Sequence, residues 1–444
     1  MKTKTFLRPS LTTTVPTVVG LLLCLGGTPA FAQSSAEIAA LQAQVAALQA
    51  QIDALVEASA KQATADETPQ ISKPEPASAL TTPDKMFEWN IRGRIFADTA
   101  WINDRDNSAD IHASEFRAAR IGVEGKAWKT VKYILEADFA DNDLDVKDAY
   151  LQWQGPVNVT MGQFKTPNSL EEITSARHTT FMERSTFTDA FSLDRQIGVS
   201  LSLGNDNAQF TVGVFQGGNG VANDDEGLTV AARGHYAVDL KDSGVIHLGG
   251  SFRHRNAGDD QGDFRYRVRP PVHLSDRFID TTSLADSDTF YGLELAALFG
   301  PFHIASEYAI QDVSLSAPLP GQKNPVFSGY YLEGGWFLTG EQKGYKAETG
   351  VFDRPKVNKP VHEGGLGAWQ VAARYDVTDL TDEGVFGGEQ ENITLGVNWY
   401  LNRHTRIMAN YTWSDISDAF LVAANGPDGE NQVDAFGVRF QVDW

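Results

Sequence analysis

Arg265, Arg267 and Arg269 occupy every second position of the stretch "FRYRVRP", so an extended backbone sets three guanidiniums along one face, about 7 Å apart. Each guanidinium presents planar paired donors, and a row of them forms a rail for phosphate or another oxyanion. Other basic residues keep the same period of two in strand-like stretches: Arg92, Arg94, Lys132, Arg374, Arg406 and Arg439. Arg117 and Arg120 fall on opposite parities of one stretch, so regular pleating turns only one of them to the polar side. A plainer account, neutralisation of Asp and Glu on neighbouring strands, weighs as much as an anion path for Arg92, Arg94, Arg117, Arg120 and Arg439. The 265–269 rail has fewer acidic residues near it in sequence, which favours binding.

Catalytic or metal chemistry finds little to work with. None of the nine histidines is paired at the i+2 to i+4 spacing that places two metal ligands on one element, and no G-x-S-x-G stretch occurs. His178, near Ser175 and Ser185, is the one arrangement resembling a nucleophile with a base, and a polar lining role suits it better. The expectation is no catalytic residue, no metal and no cofactor.

The elements that must carry these arginines are strands. In the closing stretch "DAFGVRFQVDW", Phe436, Val438, Phe440, Val442 and Trp444 alternate with Arg439 and Gln441, an apolar face against a polar one. The pattern recurs in about sixteen segments, starting near residues 87, 114, 128, 146, 157, 196, 208, 228, 245, 290, 301, 328, 368, 391, 405 and 433. Aromatics gather at the ends of the apolar faces (Phe87, Trp101, Trp153, Trp399, Tyr400, Trp413, Trp444), as in interfacial girdles. Short Gly, Asn and Asp turns alternate with long polar stretches such as 254–288 and 339–367, expected as outer loops. Soluble sandwiches alternate too, but without so charged a face opposite so consistently apolar a one. The reading is an all-β, sixteen-stranded antiparallel transmembrane β-barrel over 87–444, its apolar face meeting outer-membrane lipid.

Ahead of it, Lys2, Lys4 and Arg8, an apolar run and Ala30-Phe31-Ala32 form a secretory signal over 1–32. It contains the only cysteine, Cys24, and no small residue precedes that cysteine as a lipid anchor would need. Ile38, Leu41, Val45, Leu48, Ile52 and Leu55 mark a heptad seam, a short N-terminal coiled-coil helix over 33–60 expected in the periplasm; a lone docking helix is the alternative. Ile and Val with Leu along that seam favour a dimer. A Pro-, Ala- and Thr-rich linker spans 61–86. The chain carries 58 acidic and 37 basic residues, a formal −21 that becomes −24 once Lys2, Lys4 and Arg8 leave with the signal. That balance argues against nucleic-acid binding and is otherwise ordinary for a soluble surface.

Several stretches resemble, in the same order, the phosphate-selective porin O and P family: "EFRAARIGVEGK", "LEADFAD", "DAYLQW", "GQFKTPNSLEEITS", "GWFLTGE", "GAWQVAARYDVTDL" and "LGVNWYLN". The resemblance implies an outer-membrane diffusion channel, usually a homotrimer, narrowed by an inward-folded loop and lined by arginines that conduct inorganic anions such as phosphate or polyphosphate. Residues 165–195 then become the constriction loop, with Lys165, Arg177, Arg184 and Arg195 against Glu171, Glu172, Glu183, Asp189 and Asp194. The family's phosphate-specific members carry a lysine cluster there, whereas this loop has Lys165 alone. A non-selective or cation-preferring porin is therefore the alternative; a barrel enzyme (lipase or protease) and a structural tether with a filled lumen stand further off. Trp444 resembles the terminal aromatic read by the barrel-assembly machinery, where Phe is commoner.

Overall fold

The computed structural model describes residues 80–82, 86–105, 110–216, 227–258 and 263–444. The expected signal, Cys24 and coiled coil, with nearly all of the linker, lie outside the described residues.

Alternating faces and short turns produce sixteen antiparallel barrel strands: β1 (Phe87–Asp104), β2 (Ile111–Ala127), β3 (Val131–Asp138), β4 (Asp145–Trp153), β5 (Asn158–Lys165), β6 (Arg195–Gly204), β7 (Ala208–Gln216) and β8 (Leu228–Asp239). The second half is β9 (Val245–Asn256), β10 (Ile279–Phe299), β11 (Phe302–Leu315), β12 (Val326–Phe337), β13 (Ala368–Asp382), β14 (Val385–Tyr400), β15 (Thr405–Ser417) and β16 (Asn431–Asp443). Each strand pairs with the next, and β16 pairs with β1 (Phe440 opposite Ala97, Arg439 opposite Asp98), so the sheet closes on itself. Closure leaves no unpaired edge, the condition for a sheet to sit in hydrocarbon.

Two strands start before their alternation suggested, β10 at 279 rather than near 290 and β14 at 385 rather than near 391. The first part of β10 turns Thr282, Ser283 and Asp286 outward, so it has no apolar face to read; it stands above the lipid. On β16, Phe436, Phe440 and Trp444 are exposed while Arg439 and Gln441 are buried inside. Phe87, Trp101, Trp153 and Trp413 also face outward, but Tyr400 points in and donates to the Gln370 side chain at 3.2 Å.

An even strand number puts both barrel ends on one side, where the connections 128–130, 154–157, 205–207, 240–244, 300–301 and 401–404 are short. That is the periplasmic end of such barrels. Residues 338–367 join β12 to β13 at this same end, so they are not an outer loop. They rise into the lumen as a small hairpin, Gly344–Lys346 paired with Val351–Asp353. The stretch expected as a loop at 254–288 shrinks to 257–278 at the outer end and adds a short strand, Phe264–Val268, paired with β10.

The lumen is not uniformly polar. Phe264, Tyr266, Val272 and Phe278 from the 257–278 loop pack on Leu170, Phe187 and Phe191 and on inward Ile102, Phe290 and Phe327. This apolar core fills part of the upper barrel.

Candidate functional site

The longest break among the early strands, residues 166–194, crosses the barrel. It carries two single-turn helices, α1 (Leu170–Ile173) and α2 (Thr186–Ala190). Ser169, at φ +59°, turns the chain inward and accepts from the Glu172 amide at 3.1 Å, capping α1. The far wall has buried polar groups waiting for it. Glu307 on β11 accepts from the amides of Leu170 and Glu171 at 2.9 and 2.8 Å. Asp376 on β13 accepts from the Thr186 amide at 3.1 Å, and Arg253 on β9 donates to the Phe191 carbonyl at 2.8 Å. Gly329 on β12 makes room for α2, since a Cβ there would stand 2.4 Å from the Cβ of Phe187.

Two of the expected path arginines are bolts in this arrangement. Arg374, 1% exposed, pairs with Glu333 at 2.6 Å and with loop Glu171. Arg439, also 1% exposed, pairs with Asp98 at 2.6 Å and loop Glu183 at 2.7 Å. The lumen parity expected for both is right, yet the loop covers them. Arg406 likewise donates to the Thr179 carbonyl at 2.7 Å. Arg177 binds the Ser175 hydroxyl at 3.2 Å and lines neither chamber. His178 lies 3.3 Å from Asp353 of the hairpin, not on a serine hydroxyl.

Beside the loop lie two cavities, one toward each end of the barrel. The outer one, about 390 Å³, is lined by Arg117, Arg120, Lys147, Arg184, Arg195, Arg269 and Arg277 against Glu172, Glu183, Asp189 and Asp194. The inner one, about 370 Å³, has Arg92, Lys132, Lys165 and Arg233 against Asp148 alone, with Tyr150, Gln152, Thr160, Ser200 and Ser202 between them. Each is lined by three more basic than acidic side chains, with Glu136 behind Arg92 and Glu294 behind Arg233 in the inner wall. Two ion pairs straddle the divide, Lys165 with Glu172 and Arg195 with Asp148, both at 2.9 Å. Arg184 holds the loop's inner turn through the Glu171 carbonyl at 2.9 Å and the Glu172 carboxylate at 3.2 Å.

On the wall facing the loop, one buried carboxylate serves three arginines. Glu136 is 3.0 Å from Arg92, 3.2 Å from Arg94 and 3.5 Å from Arg120. Arg92 also reaches Glu124 at 2.6 Å and Arg120 reaches Asp138 at 2.7 Å. Arg94, 4% exposed, lines neither cavity and stands behind the other two.

Arg117 and Arg120 both turn inward, contrary to the simple parity. Phe96 pairs with Ala118 and Ala97 with Phe116, so Arg117 is the extra residue of a bulge, which switches the faces beyond it. Arg117 thereby meets Glu183 at 3.0 Å. Burial would raise the Glu183 carboxyl, but Arg117 and Arg439 together hold it well below the usual range.

The rail is broken. A register shift separates Arg265 from Arg267, and Arg265 is tied to Asp280, its Nε donating at 2.7 Å. Arg267 is exposed in a recess where Arg267, Arg269 and Arg277 face Glu115, Asp276 and Asp280, an even balance. Two of these acids come from β2 and the start of β10, and Asp276 from the loop itself. Arg269 alone of the three reaches the outer cavity.

Lys147, Arg233 and Arg277 are cavity residues that period-two reading passed over. Arg233 stood at an inward parity, but in the 208–310 stretch where the alternation is weaker than in the later strands; Arg277 sits in a loop with no parity to read. Lys343 on the segment below also escaped notice. It donates to the Thr180 hydroxyl at 2.7 Å, which donates to Glu333 at 2.7 Å. Burial lowers its ammonium to about 8, against the pull of Glu333.

The family described as phosphate-selective porin O and P matches residues 89–444. An uncharacterized protein of Caulobacter vibrioides is 33% identical, covering 99% of this chain and 97% of its own length. Porin O of Pseudomonas aeruginosa is 28% identical over 87% of this chain and 95% of its own. Among solved structures, an anion-selective porin from Comamonas acidovorans superposes with a TM-score of 0.53 at 12% identity, covering 80% of this chain and 99% of that one. A loop-deleted OmpT of Vibrio cholerae gives 0.52 at 12% identity, over 81% and 100%. Those two likenesses speak to the barrel alone, whereas the family match spans the whole barrel and its inward loops. The chain belongs to the phosphate-selective porin O and P family and is an outer-membrane porin, an anion-preferring channel.

Proposed function

We propose that the permeant species are small inorganic oxyanions, phosphate or polyphosphate among them, and that they pass from the outer to the inner cavity along β1–β6. The observation that carries this reading is the shared surplus of basic side chains lining both cavities, in a chain whose total is −21. Acidic residues such as Asp110, Asp143, Glu383, Asp418, Asp428 and Glu430 are exposed in outer loops. Screening over about 8 Å confines their effect to the mouth. The path residues are Arg269, Arg277, Arg117, Arg120, Arg184 and Arg195 above the divide, and Lys165, Arg92, Lys132 and Arg233 below it. Anions exchange partners there with Glu136, Glu172 and Asp148, so no site holds them tightly, as conduction requires. Transport needs no nucleophile, and we assign no catalytic residue.

We further assign a homotrimer in contact with outer-membrane lipid. Strands β3 to β5 hold 8, 9 and 8 residues. Tilted by roughly 40°, such a strand rises about 20 Å, less than an apolar band of about 25 Å, so a neighbouring copy covering this low wall would shield its rim. Trp444, 46% exposed with its backbone paired to Gly93, is available as the C-terminal signal for barrel assembly. Residues 33–60 are assigned to the periplasm, joining protomers or spacing the barrel from the cell wall.

The deciding experiment is the zero-current potential of the purified protein in a planar bilayer under a salt gradient, then titration with phosphate. An anion-selective potential with block by low phosphate is expected; a cation-selective or unselective potential would overturn the assignment in favour of a general porin.

A further inference from the structure

The hairpin that enters from the periplasmic end rests on two histidines. Its turn lies against β8 and β9, where His235 Nε2 donates to the Ala347 carbonyl at 2.7 Å. His247 Nδ1 meets the Tyr345 hydroxyl at 2.7 Å. The two imidazoles lie nearly parallel, at 15°, with centroids 5.6 Å apart. Gly350, at φ +61°, is pressed on the first ring, and a Cβ there would stand 2.5 Å from His235 Cγ. Arg233 adds bonds to the Thr349 and Gly350 carbonyls at 3.4 and 3.0 Å, and it also lines the inner cavity. Arg233 thereby joins the hairpin's turn to the wall of the inner cavity.

The two rings differ in what a proton does to them. His247 Nε2 faces Glu294 at 3.1 Å, and its Nδ1 can accept from the Tyr345 hydroxyl when neutral or donate to it when charged. A first proton on His247 preserves both contacts. His235 must keep Nε2–H for Ala347, and its Nδ1 is buried with no acceptor. A second proton would therefore sit buried, unpaired and 5.6 Å from an imidazolium, with the Arg233 guanidinium on the same strand. The groups facing the pair are few. Glu294 of β10 is occupied by Arg233 at 2.6 Å as well as by His247, and Glu307 of β11 repels it from behind. From the hairpin come Tyr345 and Glu348, with Lys346 held by Asp353 at 3.3 Å.

We propose that His235 and His247 form an acid-sensitive latch, in which protonation of both rings drives the hairpin off the β8–β9 wall and widens the periplasmic exit. The latched state requires neutral His235. It is complete above the ordinary imidazole range, near pH 6.5, and is lost as pH falls below it. The constriction-loop histidine that meets Asp353 of the hairpin does not contribute: burial, then Arg354 and Arg177, push His178 down to about 3, leaving it uncharged throughout that range.

The test is single-channel conductance of the full-length protein in planar bilayers from pH 7.5 to 4.5, in concentrated salt so that charges along the path are screened. Wild type is expected to show a rise of about 1.5-fold or more as pH falls below 6. His235→Gln keeps an N–H donor for Ala347 without titrating, and its conductance is expected to stay at the pH 7.5 value. Gly350→Val, which drives a side chain into the ring, is expected to give the wide state at every pH. A flat or falling wild-type profile would overturn the latch, and so would an undiminished acid response in His235→Gln.

Discussion

Glu136 is shared by three guanidiniums, and Glu124 on Arg92 and Asp138 on Arg120 bring the wall opposite the loop to three acids for three bases. Position on such a shared carboxylate, more than residue type, decides which cations face the permeant ion. Arg269→Ala and Arg277→Ala are expected to weaken phosphate block several-fold each, because both line the outer cavity. Arg265→Ala, whose charge Asp280 already neutralises, is expected to change it by less than about twofold. A titration of phosphate against the current of the three variants separates these cases. Lys343 makes a second case at this scale. With its ammonium at about 8, it carries charge below that pH and loses it above, so its hold on Thr180 and Glu333 is expected to weaken as pH rises from 7 to 9. Single-channel current noise is expected to rise across that range in wild type and to stay level in Lys343→Met.

At the level of elements, the constriction is a loop fastened to the far wall by buried ion pairs. Arg439→Ala would leave Asp98 buried without its partner and Glu183 with Arg117 alone, a cost of about 3–5 kcal/mol. The expected result is a lower temperature for the folded-to-unfolded shift on semi-native gels, with larger and noisier single-channel currents from a loosened loop. Unchanged current noise would mean that the contacts to Glu307 and Asp376 hold the loop without Arg439. The bulge at Arg117 belongs to the same machinery, since one extra residue on β2 turns that guanidinium to Glu183. The 257–278 loop acts differently, burying Phe264, Tyr266 and Phe278 in an apolar core inside the upper barrel.

For the whole molecule, the proposed trimer would draw on two separate regions, the low wall at β3–β5 and the N-terminal heptads. Deleting residues 33–60 is expected to weaken trimers, measured by cross-linking or sizing in detergent, while conductance per pore stays within about 20% of the parent. Loss of current with trimers intact would remove the coiled coil from an assembly role and place it in the channel's function. The two inward segments enter from opposite ends, the constriction loop from outside and the hairpin from the periplasm, and they meet where Phe352 N donates to the Thr174 hydroxyl at 3.2 Å. The proposed path is what these two leave open along β1–β6.

The barrel itself was legible because a strand with lipid on one side and water on the other must alternate, and that alternation is local. It located the strands, the outward Phe436, Phe440 and Trp444, and the inward parity of Arg92, Arg374 and Arg439. It failed at the start of β10, where the outer face has left the lipid, and at Arg117, where a bulge resets the count. Which inward arginines face the ion was not local at all. Arg374 and Arg439 are covered by a loop some 190 to 256 residues away in sequence, and Arg265 is neutralised by an aspartate brought back by a turn. The side of the barrel on which 338–367 lies already followed from its place between the twelfth and thirteenth of sixteen strands, and its length alone misled; its passage into the lumen depended on His235, His247 and Arg233 receiving it. Periodicity is set by each strand's own surroundings, whereas a charge is free or paired only according to what distant segments bring beside it.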